Sequence, residues 1–72
     1  MLGTTQMTTA EKLMITESLR AARNCVAKCD AYQEWAQDQE VRQMVHAVRN
    51  TAQQHVNALS HIMQQAGFSP QS

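Results

Sequence analysis

Seventy-two residues with six basic and six acidic side chains give a formal net charge of zero. That length holds one small domain. Balanced charge speaks against a nucleic-acid binder, which needs a basic footprint for phosphates, and against a polybasic membrane anchor. No apolar run approaches the roughly 20 residues that span a bilayer, and the N-terminus lacks the charged-then-apolar plan of a signal peptide. An intracellular protein is expected. Two cysteines are too few for a disulfide scaffold.

In chain order, residues 1–7 read as a loose N-terminal arm. Thr8 followed by Glu11 fits a capping box, in which hydroxyl and carboxylate satisfy orphan backbone donors reciprocally. The first helix is expected over about 8–36. Its apolar stripe runs Met14, Ser18, Ala21, Cys25, Cys29, Tyr32 and Ala36, bordered by Ile15, Leu19, Ala22 and Val26. Continued past Ala36, that stripe lands on Gln39, Glu40 and Gln43, which are polar. The phase slips there, and Asp38 stands at the slip as an N-cap.

A second helix is expected over about 39–66. Val41, Val45, Val48, Ala52, His55, Leu59, Ile62 and Ala66 alternate in steps of four and three, with Met44, Val56 and Met63 on the flanks. Gly67 suits a left-handed helix end, with Phe68 folding back on Met63. Pro70 stops any continuation, and residues 69–72 form a tail. The alternative, one unbroken helix over 8–66 in a long coiled coil, fails because the two stripes are out of register.

The expected fold is therefore all-α: an antiparallel two-helix hairpin. Two helices alone leave apolar surface in water, and a chain of about 70 residues seldom builds a sufficient core. Dimerisation into a four-helix bundle closes that core, and two-fold symmetry is the commonest way to do it. A homodimer is the expected assembly. Trp35 near the turn reads as a packing cap, the methionines as core filler, and the glutamines as a mostly solvent-facing surface.

Gln53-Gln54-His55 and the Ile62-Met63-Gln64-Gln65-Ala66-Gly67-Phe68 close resemble the spore coat protein F family, as does the polar opening Thr8-Thr9-Ala10-Glu11-Lys12-Leu13. The resemblance covers about residues 8–68. It implies a ferritin-like bundle and a structural component of an endospore, in the mother-cell cytoplasm or the coat, with other coat proteins as partners. Ferritin-like metal sites place a Glu and a Glu-x-x-His pair inside the bundle. This chain departs from that plan, because Ala52 stands three residues before His55. The scaffold is then retained without oxidase chemistry, and no catalytic residue is expected.

Two sets of side chains keep a metal-binding alternative open. His55 occupies a seam position and should be buried, and Glu17 could face inward at its height, the pair suiting iron. Cys25 and Cys29 lie four apart on one helical face, a spacing that suits copper(I) or zinc. The plainer reading makes His55 a hydrogen-bonded core histidine and packs both thiols as small apolar groups. A third reading, a coiled-coil adaptor docking on another protein, remains.

Overall fold

A computed structural model describes residues 7–68; the bulk of the expected arm, the 69–72 tail and Pro70 lie outside the described residues. The described chain is two helices, α1 over Thr9–Trp35 and α2 over Gln39–Ala66, packed against each other. Among the described residues, no helix is long and apolar enough to cross a membrane.

Each boundary has a local cause. The Thr8 hydroxyl accepts from the Glu11 amide at 3.1 Å, and a Glu11 carboxylate oxygen accepts from the Thr8 amide at 2.9 Å. Those two bonds satisfy donors at the helix start that otherwise lack partners. At the other end of α1, Ala36 turns to an extended backbone. Three non-helical residues suffice for the reversal, because the Asp38 carboxylate then accepts from the Val41 amide at 3.0 Å and restarts the helix.

Helix α2 ends where Gly67 adopts φ 76°. The Gly67 amide donates to the Gln64 carbonyl at 3.2 Å, and the Phe68 amide to the Met63 carbonyl at 3.1 Å. This is the paired closure of a Schellman motif, and glycine enters the left-handed region without the cost a Cβ imposes. Phe68 then lies against the start of α1, with the Lys12 ammonium 5.7 Å from its ring centroid, within reach of a cation–π attraction. The open end of the hairpin is thereby bridged.

The core is narrow. Among the described residues, Leu19, Ala22 and Cys29 of α1 and Ala52 and Met63 of α2 are buried, and Leu19 and Met63 are sealed completely. Half-buried Ile15, Val26, Val45, Val56 and Leu59 complete the inner seam. On both helices these residues step by fours and threes, so one heptad-like stripe of α1 meets one of α2. Arg49 takes one seam position; its Nε donates to Asp30 Oδ1 at 3.1 Å, pinning one helix to the other while its stem covers apolar surface.

The inner seam differs from the expected one. On α1 the bordering set Ile15, Leu19, Ala22 and Val26 faces the partner helix; of the main stripe, Met14, Ser18, Ala21 and Tyr32 are exposed, Cys25 and Ala36 are half-buried, and Cys29 is buried as expected. On α2, Val56 and Met63 move from flank to seam, whereas Val41, Val48 and His55 are exposed. Trp35 is 73% exposed and so is no buried packing cap; its ring lies beside that of Tyr32, 6.2 Å between centroids. Met14 and Met44 are likewise surface residues. Each helix carries apolar residues over a face wider than one neighbour can cover.

Candidate functional site

The uncovered stripes form a groove along one face of the hairpin. Its segment toward the open end, about 800 Å³, is lined by Ser18, Ala21, Cys25, Ala47, Thr51, His55 and Ala58 among others. The segment toward the turn, about 700 Å³, is lined by Lys28, Tyr32, Val41, Met44 and Val45 among others. Ala21, Cys25 and Val48 belong to both segments, so the groove is continuous. The open-end segment is walled mainly by small side chains, and the turn-end segment by bulky ones. Helical spacing produces this face, because residues three and four apart share one side of a helix.

The four candidate ligands fall into different surroundings. His55 stands exposed on the groove wall, not in the hairpin core. Glu17 does not face inward: it is about half exposed, and its carboxylate pairs with Arg20 at 3.3 Å on the helix surface. The hairpin buries the bordering stripe of α1, which turns Glu17 away. Among the described residues, no three His, Cys, Asp or Glu side chains come together as a metal-holding group.

The two thiols remain neighbours, both unpaired as disulfides. Cys29 is buried at the inner seam, and Cys25 is half-buried on the groove floor. Burial pushes the Cys29 thiol above its ordinary value of 9.0, and the adjacent Cys25 thiol, hydrogen-bonded to it, adds to the effect. Asp30 pushes in the same direction, while the Arg49 guanidinium opposes it. Cys29 is therefore a protonated apolar filler at neutral pH.

Compared with protein-family models, curated protein sequences and solved structures, the chain finds no match.

Groove residues missed at the sequence level carried one usable signal. Ser18, Thr51 and His55 interrupt the outer stripes with polar groups, while Ile15, Leu19 and Val26 run uninterrupted on the inner one.

Proposed function

We propose that the chain is a non-catalytic assembly module whose groove receives a second copy of itself, forming a four-helix bundle. The observation that carries this reading is the groove: a continuous apolar face on a hairpin with five buried residues among those described. Leu13, Met14, Tyr32, Trp35, Val41, Met44 and Val48 are all exposed large apolar groups. Tyr32, Val41, Met44 and Val48 line the groove, and burying them offsets the shortage of core that limits chains of this size.

The area is of the right order. Helices of 27 and 28 residues are each about 40 Å long. Side by side they present a face about 20 Å wide, hence about 800 Å², which matches what each partner contributes to a standard interface. The similarity of residues 53–55 and 62–68 to the spore coat protein F family supports placing this assembly among the structural proteins of an endospore.

Sedimentation of the full chain over a wide concentration range tests the pairing. The expected result is a species of twice the 8.1 kDa chain mass at micromolar concentration, dissociating on dilution. A monomer at every concentration would sink the reading. A second reading, soft-metal binding, draws on the adjacency of Cys25 and Cys29 and on His55 and Cys25 lining the same groove segment. Copper or zinc retained stoichiometrically by the reduced protein, and lost in Cys25→Ala, would favour it.

A further inference from the structure

Accepting the pairing proposed above, we infer its geometry: the two hairpins cross-pack with their turns at opposite ends, about a two-fold axis at the level of Ala21, Cys25 and Thr51. The groove is asymmetric along its length, small side chains lining one segment and bulky ones the other. A self-complementary contact must lay the bulky segment of each copy on the small segment of its partner. Only a two-fold perpendicular to the helices does this. A two-fold along the helices would stack bulky on bulky and leave the small-walled segment empty, a void that close packing disfavours.

The residue spacing locates the axis. On α1, Ala21 and Cys25 lie either side of the midpoint, with Met14 and Tyr32 at equal distances beyond. On α2, Met44 and Ala58 lie at equal distances from Thr51. Ala21, Cys25 and Thr51 wall the same groove segment, so the two midpoints share one level. About that axis Met44 enters the space over the partner's Ala58, and Tyr32 falls level with the partner's Met14, which lies beyond the small-walled segment. Small Ala21 and Cys25 let the two α1 helices approach closely. Thr51 suits a dry axis, because its hydroxyl already donates to the Ala47 carbonyl at 3.2 Å.

Charge agrees with this register. Glu17, Ala21, Asn24 and Lys28 share one flank of α1 by their spacing. Reversing the helix about its midpoint brings Glu17 of each copy beside the partner's Lys28, giving two rim pairs of opposite sign. The parallel arrangement sets α1 against the partner's α2 and makes no such pair.

Two measurements decide it. A spin label at Gln37→Cys, with Cys25→Ala and Cys29→Ala, reads the distance between the two turns. About 40 Å, the length of a helix, is expected for opposite ends. A distance near 20 Å or less overturns the register while leaving the pairing intact. A monomeric chain would overturn the pairing itself.

The second measurement keeps both native cysteines and so does not depend on the cysteine-free chain folding. Glu17→Lys and Lys28→Glu each weaken the wild-type dimer about tenfold by creating two like-charge contacts, and the double exchange recovers most of the loss. Additive losses would overturn the register. The cycle also removes the contribution of the Glu17–Arg20 pair within the helix, which the second exchange cannot restore.

Discussion

The two apolar stripes of this hairpin share a spacing and differ in fate. Ile15, Leu19, Ala22, Val26 and Cys29 close against Val45, Ala52, Val56, Leu59 and Met63 within the chain. Met14, Ser18, Ala21, Cys25 and Tyr32 instead line up with Val41, Met44, Val48 and His55 on an open face. The first stripe holds the hairpin together; the second stays open in the single hairpin, and under the proposed pairing it receives the second copy. An amphipathic helix with two adjacent stripes is the sequence form of a four-helix bundle, in which every helix touches two neighbours. One neighbour here is supplied by the chain itself.

The sharpest way to break that comparison is to damage the inner stripe. Leu19→Ala removes one of the two fully sealed side chains and should cost about 2–5 kcal/mol. A core of this size supplies about 3–5 kcal/mol in total, so the helical circular dichroism of the variant should collapse near room temperature. Retention of a wild-type melt would show that the inner seam is not what holds the fold.

The outer stripe should respond differently. Val48, about half exposed in the single hairpin, changes little there when replaced, since surface substitutions stay within about 0.5 kcal/mol. In the dimer Val48→Glu places a carboxylate in a drying seam, and dissociation should strengthen by about a hundredfold, near 2.7 kcal/mol. The readout is the melting temperature against concentration. It should rise with concentration for the wild type if the folded hairpins pair as proposed. For the variant the slope should vanish, and an unchanged slope would remove the groove from the interface.

How much of this was legible in the sequence follows from the same comparison. The helix ends were, because each rests on a local pattern: Thr8 with Glu11, Asp38 at the phase slip, and Gly67 before Phe68. The antiparallel pairing was legible too, since so short a connection leaves little else. Which stripe faces inward was not, because both recur at heptad spacing and a one-position rotation exchanges them. Packing of Leu19 and Met63 against the facing helix decides that, and it is long-range information. Glu17 was misplaced for that reason, a rotation of α1 turning it outward; His55 keeps an outer-stripe position on the groove wall, exposed in the single hairpin.

A smaller effect tests the legible part. Asp38→Ala removes the carboxylate that accepts from the Val41 amide at 3.0 Å. The expected loss is about 1 kcal/mol, seen as a lower melting midpoint with the dimer slope unchanged. A cap acts on the hairpin alone, so a change in the slope would mean that the turn itself reaches the interface.

The smallest effect separates the stripes through their thiols. Cys25 on the groove floor should react with a maleimide before Cys29, which is buried and whose thiol is pushed upward mainly by that burial, then by the Cys25 thiol beside it. The sign for stability follows. A folded value above the ordinary 9.0 means that the unfolded chain releases this proton at a pH where the folded chain still holds it. The contribution is whole below pH 9.0 and is lost as pH rises through the folded value. Other groups titrate in that range, so the difference between wild type and Cys29→Ala is the quantity to follow by denaturant titration. The wild type should lose more stability than Cys29→Ala between neutral and alkaline pH. Cys25→Ala should still show an alkaline loss, because burial, the first cause, remains. Equal slopes in wild type and Cys29→Ala would mean that Cys29 is wet, and that the inner stripe is open where the structure closes it.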